Sequence, residues 1–577
     1  MFKKEYLEKV EEAKKMWSEK IEKKSLERFG LEENPNKFYT PLDIKDFDFL
    51  RDGGFPGAYP YVAGRYPVSA IRTFYGKGST AGVGSKLKKS AGRYSGYGTP
   101  EDTRDFYNDM RKKGFQVGGP NLACDLPTQT GRDSDDEFSE GEVGTVGVAV
   151  DSLRDFEIIY EPFVGDMDLD QIASNWTING SCNYFIAMYA ALAQQRGIPL
   201  NKLRGTPQND ILKEYVARGT QIFPPKASMR MTRDSITYCT ENMPNFNIMS
   251  ISGYHIREFG ANRIQTVAFT FANAIAYFEL GINAGLDIDQ FAHRMTWLSF
   301  GGGMEVLKEV AVRRAARRVW SHIMRDRFKS KKPSNAIIRE LGTMLIGYWT
   351  ATKQRPLNNL TRSVLGGAFS ALIGDNPFCS PPYDEPLGLG HSLEAQQLEE
   401  DAARIVIEEA KLCEVFDPFA GSYYIESLTS QYEKEIVDIL DQIDKMGGAV
   451  AAIETGWMKE EMMRSSDAFR RGLEDGSIVQ VGVNKYTGDD EIVVTTPRTV
   501  SYEEEKRATV EERKLKSLAE LKKNRDNEKV EAWLKRIKEA AEDESVNLIP
   551  VFIDAVKDYV TIGEVHETLK EVFGEAM

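Results

Sequence analysis

His255 closes the run FNIMSISGYH, and an imidazole at the end of an apolar run can donate a hydrogen bond to a carbonyl or give it a proton. Gln208 ends a second such run, LRGTPQND, with an amide that both donates and accepts. Asp125 in VGGPNLACDLP stands at the end of a third. Arg218 follows Gln208 on a predicted helix, and its i,i+4 spacing after Glu214 suits an ordinary surface ion pair. Tyr254 beside His255 and Tyr94 in GRYSGYG are phenols, a group that packs more often than it reacts. The segment YGKGSTAGVGSKLKKSAG (75–92) sets Lys77, Lys86, Lys88 and Lys89 on a glycine-rich backbone, which reads either as a mobile loop or as a contact to a phosphate-bearing ligand. Five histidines without HExxH and five cysteines without CxxC give no metal or disulfide framework. Metal chemistry, if there is any, is expected to come with another molecule.

These groups need a frame. From about residue 115 to about 425, short apolar runs end in polar or Gly residues and give way to helical stretches such as 180–196 and 264–284, a βα rhythm. The runs are those around Asp125, ending at Asn179, from Leu203, ending at His255, around Arg294 and before Asp417. Repeated units of this kind predict an α/β fold, a (β/α)8 TIM-type barrel of about 250 residues or more, whose reactive groups sit where strands end. An open doubly wound sheet competes, but the GxGxxG that would favour it is missing. Residues 1–54 read as an N-terminal helical arm, 55–430 as the barrel and 431–577 as a mainly helical C-terminal extension. Within that extension the charged stretch after about 502 reads as a linker or surface helix, and Ile562, Val565, Leu569, Val572 and Phe573 share one helix side.

With 74 basic and 88 acidic residues the formal charge is -14, which repels a phosphate backbone, so no nucleic acid is expected. No apolar run is long enough to cross a bilayer, and the start MFKKEYLEKVEEAKKMW lacks a signal-peptide core. A cytoplasmic location without membrane contact is expected.

Several long strings resemble the methylmalonyl-CoA mutase family: FPGAYPYVAG (55–64), DLPTQTGRDSDD (125–136), GTPQNDILKEYVARGT (205–220), PNFNIMSISGYHIREFGA (244–261), DPFAGSYYIESLT (417–429) and VGVNK (481–485). Agreement of many strings in order is far more specific than one short motif. The resemblance implies a radical carbon-skeleton isomerase that acts on an acyl-CoA with adenosylcobalamin. By position, His255 matches the histidine on the thioester carbonyl and Gln208 a neighbouring polar contact. Tyr94 matches the tyrosine between adenosyl group and substrate, Tyr254 a further active-site tyrosine, and Arg218 the arginine pairing with a free carboxylate. Thr177, Thr206, Asn247, Arg294, Tyr66 and Arg72 look like acyl-CoA contacts, and Glu385 in YDEPL matches a glutamate near the adenosyl ribose.

The chain also departs from the family pattern. Gly92 and Arg93 stand where an Arg and Gln pair is expected, and 75–92 looks like an insertion. In GDNPFCSPP, Cys379 replaces a histidine and Pro381 an asparagine, and TMLIGYW (343–349) replaces a more polar segment. A less polar pocket wall could admit an acyl group bulkier than methylmalonyl, such as an alkyl- or arylsuccinyl group. The DxHxxG of a cobalamin domain is absent, and His566 lacks its spacing. The expected assembly is therefore a hetero-oligomer in which a separate small subunit holds most of the adenosylcobalamin. Sister activities on isobutyryl-, 2-hydroxyisobutyryl- or ethylmalonyl-CoA are the nearest alternative, and a non-catalytic regulatory paralogue a more distant one.

Overall fold

Five short runs, each with an apolar side chain turned into the core, form strands: β1 (Asn121–Ala123), β2 (Ser174–Thr177), β3 (Gly205–Pro207), β4 (Met249–Ile251) and β5 (Met295–Trp297). The computed structural model in which they are seen describes residues 2–34, 37–66, 96, 98–112, 118–145, 147–340, 350–374, 382–384, 386, 393–488 and 504–576. All pairing is parallel, β1 with β2, β2 with β3, and β4 with β5. The amides of Asn247 and Ser250 donate to the carbonyls of Gly205 and Gln208, each at 2.9 Å, and so tie β4 beside β3. Single parallel bridges, Cys124 with Val148 and Trp297 with Glu340, extend the row at either side.

Parallel neighbours require long crossovers, and helices supply them. The relevant helices are α1 (Lys4–Trp17), α2 (Cys182–Gln195), α3 (Pro225–Asn242), α4 (Tyr254–Phe259), α5 (Arg263–Asn283), α6 (Val306–His322), α7 (Tyr423–Lys445), α8 (Glu504–Asn524), α9 (Asn527–Glu542), α10 (Leu548–Lys557) and α11 (Ile562–Phe573). The described chain is thus α/β, mostly helical with small parallel sheets. The run before Asp417 is not a strand: Leu393–Arg404 is an α-helix continued by a π-helical turn over Ile405–Glu409. Its Leu, Glu, Gln and Ala residues are strong helix formers, and that local preference prevails.

The two faces of the strands differ. Leu122, Trp176 and Ile178 are buried, and Trp176 packs on Phe156, Phe185, Tyr189 and Phe246 beneath the helices. On the opposite face the register aligns Asn121, Asn175 and Thr206, and sets Ala123 beside Thr177. Half-buried polar side chains therefore line this face.

The C-terminal helices complete the core of the first strands. Tyr184 on α2 donates to the carbonyl of Val560 at 2.7 Å, and His566 stacks on Phe223 with Nδ1 2.7 Å from the carbonyl of Ile562. Ile562, Val565 and Leu569 are buried as their spacing predicts. The charged stretch after 502 forms helix α8, but it is no mere surface element: the Lys514 ammonium is buried, 2.6 Å from Asp155 and 3.1 Å from Asp151. Removing one partner of a buried cluster strands the remaining charges. Lys514→Met should therefore lower stability by about 3 kcal/mol, read as a fall in the urea midpoint. An unchanged midpoint would show that Asp151 and Asp155 do not need this cation. Among the described residues no helix is long and apolar enough to cross a membrane.

Candidate active site

Gln208 follows β3 directly, and Tyr254 and His255 open α4 just beyond β4. The sequence-predicted groups thus gather at the C-terminal ends of neighbouring strands. Ser252 Oγ lies 3.0 Å from His255 Nδ1, and Nε2 has no protein partner among the described residues. Burial pulls the imidazole well below the ordinary histidine pKa, and the charges of Lys213 and Arg218 push the same way. His255 is accordingly neutral at physiological pH, a hydrogen-bond donor or acceptor rather than an imidazolium. The Tyr254 and His255 rings lie 3.8 Å apart between centroids.

The start of α4 is held from behind. Gly253 and Tyr254 donate their amides to the carbonyl of Ser299 at 2.8 and 2.9 Å. Gly301, at φ +69°, brings the loop after β5 so close that a Cβ there would meet the Tyr254 Cα at 3.4 Å. Ser252 donates its amide to Asp210 Oδ2 at 2.8 Å, and Tyr277 donates its hydroxyl to Oδ1 at 2.8 Å. Burial raises the Asp210 carboxyl to about 6. In the same way burial raises Asp125 to about 7, with Thr128 and Gly144 amides donating to it at 3.0 and 2.8 Å, so Asp125 braces two loops.

A second buried cluster surrounds Arg218. Asn179, at the end of the β2 run, donates through Nδ2 to Gln208 Oε1 at 2.8 Å and to Glu214 Oε1 at 2.7 Å. With its oxygen engaged, Gln208 keeps its NH2 as the part of the amide able to donate elsewhere. Lys213 Nζ donates to Glu214 Oε1 at 2.5 Å, and Thr220 donates its amide and hydroxyl to Oε2 at 3.2 and 2.7 Å. The π-helical turn Glu214–Arg218 leaves Arg218 Nη1 3.6 Å from Glu214 Oε1, buried and without a hydrogen-bond partner. Glu214 is 1 % exposed, so the pair is not the surface ion pair its i,i+4 spacing suggested.

Thr177 and Thr206 lie on the polar strand face. Asn247 Nδ2 donates to Thr206 Oγ1 at 2.8 Å, and Arg294 stands immediately before β5, its Nη1 and Nη2 each 3.3 Å from Asn245. Asn247 and Arg294 therefore mark the N-terminal ends of the strands, away from His255, and Thr177 and Thr206 stand on the strands themselves. The Arg294 Nε is buried and unpartnered. Tyr66 is half-buried under the Arg65 guanidinium, 5.6 Å from its ring. Arg72, Tyr94 and Glu385 lie outside the described residues, as do 75–92, Cys379 and Pro381. Sequence reasoning overlooked Asn179, Lys213, Asp210, Ser252 and Tyr277 as functional residues. Asp210, Lys213 and Ser252 belong to the strings around Gln208 and His255, Asn179 ends another run, and Tyr277 gave no signal beyond its helix.

A neutral imidazole, the amide of Gln208 and a buried guanidinium nitrogen without a hydrogen-bond acceptor thus stand at or just beyond the ends of parallel strands in an α/β protein. Residues 31–575 match the family described as methylmalonyl-CoA mutase. The chain is 36% identical over 537 residues to the methylmalonyl-CoA mutase of Escherichia coli K12, covering 93% of this chain and 70% of that one. It is 35% identical over 537 residues to the 2-hydroxyisobutanoyl-CoA mutase large subunit of Aquincola tertiaricarbonis, covering 93% and 90%. To the human mitochondrial methylmalonyl-CoA mutase it is 33% identical over 520 residues, 90% of this chain and 65% of that one. The chain belongs to the methylmalonyl-CoA mutase family, whose members are cobalamin-dependent isomerases of acyl-CoA thioesters.

Proposed function

We propose that this chain is the substrate-binding large subunit of an acyl-CoA mutase acting on a carboxylated ester, methylmalonyl-CoA and succinyl-CoA or a bulkier alkyl- or arylsuccinyl-CoA. The observation that carries this is the Arg218 Nη1: a buried guanidinium nitrogen lacking an acceptor, beside a carboxylate whose lone pairs are already taken. A substrate carboxylate supplies the missing acceptor. His255 Nε2 and the Gln208 amide then donate toward the thioester carbonyl, and Tyr254 flanks His255. The coenzyme A portion runs along the polar strand face past Thr177 and Thr206 to Asn247 and Arg294, with Tyr66 and Arg72 as further contacts. Such a path requires the row of parallel strands to close into a (β/α)8 barrel over 55–430, with the arm 1–54 and the helical extension 431–577 outside it.

Among the described residues no group of His, Cys, Asp or Glu could hold a metal, and His566 is shut in under Phe223. A corrin supplies four nitrogens to its cobalt and leaves one position for an imidazole, a role that His566, with Nδ1 on the Ile562 carbonyl, does not fit. We assign the corrin to a small cobalamin-binding subunit in a hetero-oligomer, a reading supported by the 90% coverage of a relative named as a large subunit. Tyr94 and Glu385 would face the adenosyl group. When bound, adenosylcobalamin supplies the hydrogen-atom abstraction that no side chain here can perform. The chain's own part is to exclude water, orient the acyl group through Arg218, and hold the carbonyl oxygen through His255. The buried free thiols of Cys124, Cys182, Cys239 and Cys413 suit a reducing cytoplasm.

Catalytic efficiency of the reconstituted complex tests the substrate class. Arg218→Gln should lower it for methylmalonyl-CoA, or for the best carboxylated ester, by about tenfold to a hundredfold, and leave isobutyryl-CoA nearly unaffected. An unchanged ratio would mean that Arg218 does not read a carboxylate, and would favour an uncharged substrate such as 2-hydroxyisobutyryl-CoA, the acyl group in the name of one relative.

A further inference from the structure

We infer that Lys213 is a specificity-determining residue: by occupying Glu214 it keeps Arg218 available for the carboxylate of the substrate. The inference rests on the carboxylated-substrate reading above. A carboxylate offers about four lone-pair sites. Those of Glu214 meet four donors: Lys213 Nζ at 2.5 Å, Asn179 Nδ2 at 2.7 Å, the Thr220 hydroxyl at 2.7 Å and the Thr220 amide at 3.2 Å. Arg218, the next cation along the turn, is left at 3.6 Å without a hydrogen bond. Lys213 and Glu214 side chains are both 0% exposed, so water cannot stand in for either partner. Lys213 has one other acceptor, the Asp210 carbonyl at 3.3 Å, which fixes its ammonium between the two carboxylate-bearing residues.

Without Lys213, Glu214 would be a buried anion with Arg218 as its nearest cation. A shift of less than about 1 Å would bring that guanidinium into hydrogen-bond range and withdraw it from the substrate. The lysine thus balances Glu214 internally, which leaves the guanidinium of Arg218, 25% exposed, as the charged group beside Glu214 that can reach a ligand. A purely structural ion pair would hold the turn together without altering the choice between charged and uncharged esters.

Titration calorimetry of the full chain with methylmalonyl-CoA and isobutyryl-CoA separates these roles. For Lys213→Met the dissociation constant of the carboxylated ester should rise about tenfold. That of isobutyryl-CoA should move less than about twofold. The double variant Lys213→Met/Glu214→Gln, which removes both charges at nearly constant volume, should restore the preference, because Arg218 no longer has an anion to pair with. Lys213→Gln keeps a neutral donor to Glu214 but removes the charge that balances it; it serves if the methionine variant fails to fold and should show a smaller selective loss in the same direction. A preference retained in Lys213→Met or Lys213→Gln, while Arg218→Gln abolishes it, overturns the role of Lys213 and leaves the substrate reading intact. A loss that the double variant does not restore also overturns it. Absence of any preference in the unaltered chain would remove the carboxylate reading, and this inference with it.

Discussion

Purified alone and given adenosylcobalamin with a carboxylated acyl-CoA, the chain should bind the ester and show no turnover; a small cobalamin-binding subunit should bring turnover to the ordinary enzyme range of about 1–10³ per second. The reasoning is chemical. On the proposed reading His255, Gln208 and Arg218 hold the acyl group, whereas the corrin, whose cobalt needs one imidazole at most from a protein, is held by the second subunit. His566, the one histidine of the final helix, already has Nδ1 on the Ile562 carbonyl and its ring against Phe223. Presenting it to a metal would require α11 to leave the core. Calorimetry with the ester and a turnover assay with and without the second subunit check both halves. Turnover by the chain alone would sink the two-subunit proposal.

His255→Ala should reduce turnover of the reconstituted enzyme about 10²- to 10³-fold, with the Michaelis constant changed far less. The imidazole is braced by Ser252, which Asp210 holds in turn, so its free nitrogen is fixed in advance and little is spent on reorganisation as charge builds on the carbonyl oxygen. Because its folded pKa is depressed, His255 stays neutral as pH falls through the ordinary histidine value, while an unfolded chain takes up a proton there. Between about pH 8 and pH 6 the ring itself should therefore stay neutral, leaving the carboxyls that burial raises, Asp125 to about 7 and Asp210 to about 6, as the groups that titrate there, while the His255 contribution to stability declines below about pH 6.5. A proton taken up by the His255 ring near pH 6.5, read from its NMR signal, would show that the ring titrates. Near-normal turnover in the alanine variant would make His255 a packing residue.

The strand ends were legible because GTPQND and SGYH each end an apolar run with polar residues, and the fold places Gln208 and His255 at those ends. The run before Asp417 misled because apolar density without a clear period does not separate strand from helix. Arg218 could be singled out only through resemblance: i,i+4 spacing to Glu214 is the same whether a pair is wet or buried, and the burial of Glu214 depends on a residue distant in sequence, Asn179, 35 positions away. Lys213 gave no signal for the same reason, since a lysine beside a glutamate is ordinary on any helix surface. The polar strand face was hidden in runs that read as apolar because β2 alternates, with Ser174 and Trp176 buried and Asn175 and Thr177 half-buried.

The contacts of α8–α11 also impose an order on biosynthesis. Tyr184 finds its acceptor in Val560, and Asp155 finds its cation in Lys514, across separations of 376 and 359 residues. At a ribosomal pace of about 5–20 residues per second, the nascent β2–α2 unit waits on the order of tens of seconds for the helices that cover it. Through that interval the nearly all-apolar surface of α2 is open to solvent and to neighbouring chains. Yield of folded protein should thus depend on growth temperature and on chaperones that hold nascent chains, more than on the stability of the finished molecule.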